Sequence, residues 1–280
     1  MGELSGRTVF MSGGSRGIGL AIAKRLASEG ANVAFVAKTD QPHPKLPGTI
    51  HTAAAEIEAA GGKALPILGD VRDEGQVAAA VEQAVERFGG IDICVNNASA
   101  INLAPMADLP PKRYDLMLDI NARGTFVVTQ ACLPHLRESD HAHVLTLSPP
   151  LSLDPRWLKG HSAYTVSKFG MSMITLGVAA DEPSIAANCL WPRTIIATAA
   201  VQNLLGGDTA MAASRTPEIV ADAAYEIVRK PPSEASGNTY LDDDVLAAAG
   251  ITDLSGYTAG DSDAELALDL FVADWGEEAQ

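Results

Sequence analysis

The sequence predicts an α/β fold: a doubly wound, parallel, seven-stranded sheet with helices on both faces. Two observations lead to this fold class. Short apolar runs rich in β-branched residues alternate along the chain with longer helical stretches. These runs are apolar at consecutive positions, which is typical of parallel strands that are buried on both faces.

The predicted elements follow one another in a regular order. Strands are predicted at 8–11, 32–37, 64–68, 91–96, 144–147 and 187–190, with a short seventh at 239–241. Helices are predicted at 17–29, in an Ala/Glu stretch that ends at 60, and at 74–88, 112–137 and 161–180. In the first helix, Ile18, Ile22 and Leu26 recur at helical spacing, and Gly30 ends it. This alternation indicates a sheet of the Rossmann type.

The chain is predicted to form a single domain over residues 1–280, because it has no internal repeat and no long linker. Its last part differs in charge, since residues 241–280 contain 11 acidic residues and no Lys or Arg. We expect an acidic, solvated C-terminal extension from about residue 242, in which Phe271 and Trp275 are able to pack. An interaction surface is the alternative interpretation of this stretch.

Composition excludes several classes of function. The 280 residues have a formal net charge of −15, so the chain has no general attraction for nucleic acid. It contains no apolar run long enough for a membrane span and no signal-peptide pattern. Cys94, Cys132 and Cys189 lie in apolar stretches without paired spacing, which predicts reduced thiols and a cytoplasmic protein. His141 and His143 lack a third ligand nearby, so no metal site is predicted.

A glycine-rich turn joins the first strand to the first helix. Its residues are Gly13, Gly14, Ser15, Arg16, Gly17, Ile18 and Gly19. Glycines at such a turn let the backbone approach a pyrophosphate, which the N-terminus of the following helix stabilises. The turn therefore predicts a dinucleotide site.

The end of the second strand indicates which dinucleotide binds. A site for a free ribose 2′-hydroxyl usually has an acidic residue there, whereas this chain has Lys38 and Thr39. Arg16 projects from the glycine turn toward the same place. Two cations suit a 2′-phosphate, and NADP(H) is therefore the predicted cofactor.

Tyr164 and Lys168 are four residues apart in a predicted helix, so they lie on the same helical face. A free tyrosine has a pKa of about 10 and is a poor acid or base at neutral pH. A nearby ammonium favours the phenolate and brings that pKa toward the working range. The pair is a candidate for proton transfer, with a surface pair as the alternative.

Taken in order, these motifs resemble the short-chain dehydrogenase/reductase family over about residues 6–240. The other matching residues are Asp70-Val71, Asn96-Asn97-Ala98, Asn121 and Ser148. The resemblance implies that Tyr164 exchanges a proton with the substrate and that Lys168 binds the nicotinamide ribose. It also implies that Asn121 holds a water and that Ser148 bonds the substrate carbonyl.

The resemblance further implies the cofactor contacts outside the glycine turn. Asp70, with Val71 beside it, would meet the adenine, and Asn97 and Ala98 would line the adenosine ribose. Pro192 stands in the loop after the sixth strand, where the family binds its cofactor. The family also assembles as homodimers or homotetramers, which the helices at 112–137 and 161–180 would form here.

Several stretches resemble the hydroxysteroid dehydrogenase-like protein 2 subgroup of that family. They are Lys38-Thr39 with the Pro-rich segment 41–46, Ser148-Pro149-Pro150-Leu151, the segment 170–173, and Leu190-Trp191-Pro192. Members of the subgroup can carry a sterol-carrier domain, which we do not expect within these 280 residues. The chain is thus expected to be one dinucleotide-binding oxidoreductase domain.

Two positions depart from the family pattern. The family's catalytic serine is commonly the second of a pair, where this chain has Pro149, so the carbonyl donor is either Ser148 or Ser152. Arg193 stands where the family usually has glycine, and it either contacts a ligand or is a solvated loop residue.

The predicted function is an NADP(H)-dependent interconversion of a secondary alcohol and a carbonyl on an apolar small molecule. Two alternatives remain at this stage. One is an NADP(H)-binding sensor or scaffold with little turnover, and the other is the reduction of a different bond, such as an enoyl double bond.

Overall fold

The computed structural model describes residues 2–42, 47–204, 206–260 and 265–272. Its centre is one seven-stranded sheet in the order 3-2-1-4-5-6-7, in which every neighbouring pair is parallel. The strands are β1 Thr8–Ser12, β2 Asn32–Ala37, β3 Lys63–Leu68, β4 Ile93–Asn96, β5 His143–Leu147, β6 Ala186–Trp191 and β7 Thr239–Leu241. The predicted fold class is confirmed. Because the order reverses between β1 and β4, a crevice opens at the carboxyl ends of these strands.

Helices cover both faces of the sheet. They are α1 Gly17–Ser28, α2 Ile50–Ala59, α3 Glu74–Phe88, α4 Pro111–Leu118, α5 Gly124–Leu136, α6 Ser162–Asp181, α7 Ala199–Leu204, α8 Gly207–Ala212, α9 Glu218–Val228 and α10 Asp242–Ala248. The predicted helix at 112–137 is interrupted by a π-helical turn, Asp119–Arg123, between α4 and α5. Sequence analysis missed α7 to α10, although Pro217 followed by Glu218 is a typical start signal for α9.

The strands alternate their side chains between two apolar layers. Val9 and Met11 of β1 pack on one face, in the layer that contains α1 and α9, and Phe10 packs on the other face with α3 and α5. This two-sided burial explains why the strand sequences are apolar at consecutive positions. A third, smaller cluster of buried apolar side chains lies away from both layers, around Tyr164 and Phe271.

The described residues of the acidic C-terminal part include a short helix, α10, that packs partly against the rest of the protein. Asp242 is fully buried at the start of α10, and its Oδ1 accepts hydrogen bonds from the backbone N–H groups of Arg193 and Asp243, both at 2.9 Å. The Arg193 guanidinium forms ion pairs with Asp243 at 2.5 Å and with Asp244 at 2.8 Å. The Arg193 side chain thus supplies the cation that holds Asp243 and Asp244 at the start of α10. Trp275 lies outside the described residues.

Three smaller expectations concern the cysteines, the two neighbouring histidines and membrane-spanning helices. Cys94, Cys132 and Cys189 are buried and free, so they are small core residues as predicted. The His143 ring lies 4.7 Å from the His141 ring, and no group of three potential metal ligands occurs among the described residues. In the same part of the chain, no helix is long and apolar enough to cross a membrane.

Candidate active site

The glycine turn lies at the carboxyl end of β1, packed against the segment that follows β4. The Asn97 side-chain amide donates to the Gly13 carbonyl oxygen at 2.8 Å. A Cβ on Gly13 would lie 2.9 Å from the Ala98 Cα, and one on Gly19 would lie 2.4 Å from the Asn97 Nδ2. Gly13 and Gly17 also have positive φ angles of 77° and 53°. Close packing and backbone conformation therefore both require glycine here.

Sequence analysis missed two residues at this turn. The Ser12 hydroxyl accepts hydrogen bonds from the backbone N–H groups of Asn97 and Ala98, both at 3.2 Å. Ser12 therefore fixes the segment predicted to line the adenosine ribose. Thr198, in the loop after β6, has its methyl group 3.4 Å from the position that a Gly17 Cβ would take. Ser12 stands directly before Gly13 at the end of a strand, and this position could have indicated its role. No sequence pattern near Thr198 indicates its contact with the turn.

The side chains after β2 form a positively charged corner. The Arg16 Nη2 donates to the Thr39 hydroxyl at 2.5 Å, and the Arg16 Nη1 is buried without a hydrogen-bond partner among the described residues. Burial lowers the pKa of Arg16. Lys38 is half exposed, and its Nζ lies 3.5 Å from the Asp70 carboxylate. An unpartnered buried guanidinium N–H beside a lysine fits the 2′-phosphate of NADP(H).

Asp70 forms ion pairs with Arg72 and Lys38 through its carboxylate. Its carboxylate accepts from Arg72, with a shortest distance of 2.5 Å, and these contacts hold the pKa of Asp70 at about 2. Its backbone N–H donates to the Gln76 side chain at 3.0 Å. Val71, next in sequence, is buried beneath Gly124. Asp70 therefore stays ionised at the edge where an adenine contact was expected.

Tyr164 and Lys168 are both buried in the first half of α6, one helical turn apart. The Lys168 Nζ donates to the Leu147 carbonyl oxygen at the end of β5, at 2.8 Å. It also lies 3.7 Å from the Met171 sulfur and 5.0 Å from the Trp191 ring centroid. An ammonium has three N–H groups, so one remains for a further acceptor. The predicted same-face arrangement is therefore present, but inside the protein rather than at its surface.

The charge states of the pair follow from this burial. Burial raises the pKa of Tyr164, and the nearby Asp269 adds to the effect. Burial lowers the pKa of Lys168 to about 7, against the opposing influence of Asp269. Burial also raises the pKa of Asp269 to about 7. The protein's own groups thus keep the Tyr164 phenol protonated, in the form that donates a proton, whereas sequence analysis expected Lys168 to lower this pKa. Sequence analysis missed Asp269 because it is 101 residues from Lys168 along the chain.

Asn121 lies fully buried at the π-helical turn. Its Oδ1 accepts from the Ala100 N–H at 2.7 Å, and its Nδ2 donates to the Ala100 carbonyl and the Ser167 hydroxyl, both at 2.9 Å. The side chain thereby ties the segment after β4 to α6. Such π-helical turns are rare and are often found at functional sites. The amide N–H groups are both used within the protein, which leaves oxygen lone pairs for the predicted water.

Ser148 follows β5 and is completely buried. Its backbone N–H donates to the Leu190 carbonyl at 3.1 Å, and its hydroxyl, which lies beside the Cys189 thiol, has no oxygen or nitrogen partner within the described residues. The Pro149 carbonyl accepts from the Ser172 hydroxyl of α6 at 2.6 Å, which fixes the two prolines against that helix. The other candidate, Ser152, accepts from the Asp154 N–H at 3.2 Å.

A glycine turn at a switch in strand order, with a buried Tyr–Lys pair at the same sheet edge, defines a nucleotide-dependent oxidoreductase. Residues 7–207 match the model of the short chain dehydrogenase family. The chain belongs to this family, whose members bind a nicotinamide cofactor and act on small molecules.

Three relatives show how close the resemblance is. A hydroxysteroid dehydrogenase-like protein 2 of Danio rerio is 57% identical over 257 residues, covering 91% of this chain but 61% of that protein, so the predicted subgroup is confirmed. The crystal structure of a short chain dehydrogenase from Mycobacterium thermoresistibile has 60% identity and a TM-score of 0.91, and covers 96% of each chain. A blue fluorescent protein from a metagenomic library, in complex with NADPH, has 28% identity and a TM-score of 0.73, covering 85% of this chain and 97% of its own.

Proposed function

We propose that the protein is an NADP(H)-dependent oxidoreductase that interconverts a secondary alcohol and a carbonyl on an apolar small molecule. The observation that carries this proposal is the buried Tyr164–Lys168 pair, which opens onto an apolar cluster at the carboxyl edge of the sheet. Catalysis by this pair needs a proton donor held in a dry site beside a bound cofactor.

The residues that would hold the cofactor fit it chemically. The glycine turn, from Gly13 to Gly19, offers its backbone and the start of α1 to the pyrophosphate. Arg16, Lys38 and Thr39 would hold the 2′-phosphate. Pro192 and Lys168 would hold the nicotinamide end. When bound, the cofactor supplies or accepts a hydride.

The protein's own contribution is the proton. In the reduction of a carbonyl, Tyr164 donates the proton of its hydroxyl to the substrate oxygen, where negative charge develops. The raised pKa of Tyr164 keeps this proton in place until the oxygen becomes basic. In the reverse direction, the Lys168 ammonium stabilises the phenolate that accepts the alcohol proton. Lys168 is anchored for this role by the Leu147 carbonyl.

We assign the second donor to the substrate oxygen to Ser148. The buried hydroxyl has only the Cys189 thiol beside it, which is a weak hydrogen-bonding group, and a substrate oxygen would supply a full partner. Pro149 has no N–H and is unable to donate from the position where the family commonly has serine. The hydrogen bond between Ser172 and the Pro149 carbonyl holds this short segment against α6.

The apolar character proposed for the substrate follows from the surroundings of Tyr164. The buried cluster around it consists of Met117, Ala163, Trp191, Phe271 and Val272, and partly buried apolar side chains extend it. The partly buried members, among them Leu109 and Trp157, keep apolar surface that an apolar compound would remove from water on binding.

Tyr164→Phe is expected to abolish NADPH oxidation with a ketone while leaving NADPH affinity unchanged. The substitution removes only the proton-carrying hydroxyl and keeps the ring. Stopped-flow absorbance measures the first effect, and calorimetric titration of NADPH measures the second. Near-normal turnover by the variant would show that another group is the acid.

Arg16→Gln is expected to weaken NADPH binding by at least about tenfold, since one charge-assisted hydrogen bond contributes roughly 1.5–3 kcal/mol. NADH affinity should hardly change, because NADH lacks the 2′-phosphate. Lys63→Gln is the matched control: it also removes one positive charge, but at the opposite end of the β2–β3 pair. Equal losses of NADPH and NADH affinity in Arg16→Gln would contradict the assignment.

Ser148→Ala is expected to lower kcat by about 10²-fold, the scale for losing one donor to a developing oxyanion. NADPH affinity should be retained. Ser152→Ala serves as the comparison, because Ser152 lies on the same loop and bonds only the nearby backbone in the described structure. A loss in Ser152→Ala alone would move the role to Ser152. If neither variant loses activity, the second donor is not a serine.

We propose that the chain forms homodimers or homotetramers through α5 and α6. Three large apolar side chains on these helices are strongly exposed: Phe126 (49%), Val166 (50%) and Met173 (63%). Such a group of exposed apolar residues is typical of an interaction surface. Analytical ultracentrifugation should give an oligomer for the native chain and smaller species for Phe126→Glu combined with Met173→Glu. A native monomer at micromolar concentration would refute this assembly.

A further inference from the structure

Residues 265–272, here called the C-terminal strap, run along the loop that follows β6. The Ile195 N–H donates to the Ala267 carbonyl at 3.0 Å, and the Asp269 N–H donates to the Arg193 carbonyl at 2.9 Å. The Trp191 indole N–H donates to the Leu270 carbonyl at 2.8 Å. These bonds fix the strap at the carboxyl edge of the sheet, over the site that contains Tyr164.

The strap ends in an aromatic cluster centred on Phe271. Its ring lies 5.3–6.1 Å, centroid to centroid, from the rings of Trp157, His161, Tyr164, Phe169 and Trp191. Tyr164 is only 5% exposed, and so is Phe271. The Phe271 ring therefore packs beside the Tyr164 side chain, which would meet the carbonyl compound, and helps to cover it from solvent.

The backbone of Phe271 is also unusual. Its φ is 71°, which makes it the one residue other than glycine with a positive φ in the described part of the chain. A bulky residue adopts this conformation only when its surroundings impose it, and such residues concentrate at ligand-binding sites. Ordinary core packing does not require it, since an aromatic side chain can be buried from a relaxed backbone.

We propose that Phe271 is a specificity-determining residue whose ring forms the wall of the substrate pocket beside Tyr164. Phe271 and Trp157 would then bind flat, apolar ring ketones by contact with their ring faces, and the volume of the side chain at position 271 would set the largest ketone admitted. The strap lies beyond residue 207, where the match to the family model ends. The inference rests on the proposed carbonyl chemistry.

The test uses two substitutions of opposite size in the full chain, Phe271→Ala and Phe271→Trp. The measured quantity is the ratio of kcat/KM for a large ketone, 2-acetylnaphthalene, to that for a small one, butanone, both with NADPH. Phe271→Ala should raise this ratio by about tenfold and Phe271→Trp should lower it by a similar factor. All three side chains carry a Cβ, so the backbone cost of the positive φ is retained in each variant.

Opposite shifts distinguish a pocket wall from a structural residue, because loss of active protein lowers kcat/KM for both ketones by the same factor and leaves their ratio unchanged. Phe88→Ala is the control, since Phe88 lies at the end of α3, before β4, away from the carboxyl edge of the sheet. The ratio of kcat/KM for the large ketone to that for the small one should be the same in Phe88→Ala as in the native protein. If Phe271→Ala does not fold, Phe271→Leu replaces it and should shift the ratio in the same direction by less. Shifts of the same sign in the large and small variants, or no shift in either, would overturn the proposal.

A binding measurement separates this inference from the proposed reaction. Trp157 and Trp191 lie 6.0 and 5.8 Å from Phe271, so a ketone in the pocket should change tryptophan emission. If the native protein oxidises no NADPH but the Kd ratio of the two ketones shifts oppositely in the two variants, the reaction is wrong and the pocket wall is right. If neither ketone changes the emission at millimolar concentration, the pocket wall is wrong.

Discussion

The buried ammonium of Lys168 is the constraint on which the site depends. A buried charge costs several kcal/mol unless partners compensate it, and the Leu147 carbonyl supplies a short hydrogen bond at 2.8 Å. This bond fixes the first half of α6 to the end of β5. It thereby sets the position of Tyr164, one turn earlier on the same helix. Asn121 adds a second attachment of α6 through its hydrogen bond to the Ser167 hydroxyl.

Much of the fold was predictable because it follows from local pattern. Each β strand is a run of apolar residues, and a helix or turn signal follows it, so all seven strands were placed to within two residues at each end. The glycine turn and the Tyr–Lys pair were also local patterns. The Arg193–Asp243 ion pair joins residues 50 positions apart, and no local signal marks it. The same holds for Asp269 and the strap, which depend on contacts formed only after folding, and for the π-helical turn at Asn121.

The negative net charge does not conflict with binding a cofactor that carries several phosphates. At physiological ionic strength, charges more than about 8 Å apart are largely screened in solution. The groups next to the proposed cofactor site therefore determine the local attraction, and these are Arg16 in the glycine turn and Lys38 after β2. Asp70 is nearby, but Arg72 already pairs with it and keeps its charge compensated. In this acidic protein, the attraction for phosphate is thus confined to the corner formed by Arg16, Lys38 and Thr39.

Arg193 connects the acidic helix to the strap over the site. Its backbone N–H donates to Asp242 at the start of α10, and its carbonyl accepts from the Asp269 N–H of the strap. Its guanidinium also holds Asp243 and Asp244. Any residue except proline could form both backbone hydrogen bonds. Only a cationic side chain at this position can also form ion pairs with the acidic first turn of α10. The departure from the usual glycine therefore has a structural consequence: the loop after β6 becomes a fixed support to which the strap, and through it Phe271, is attached.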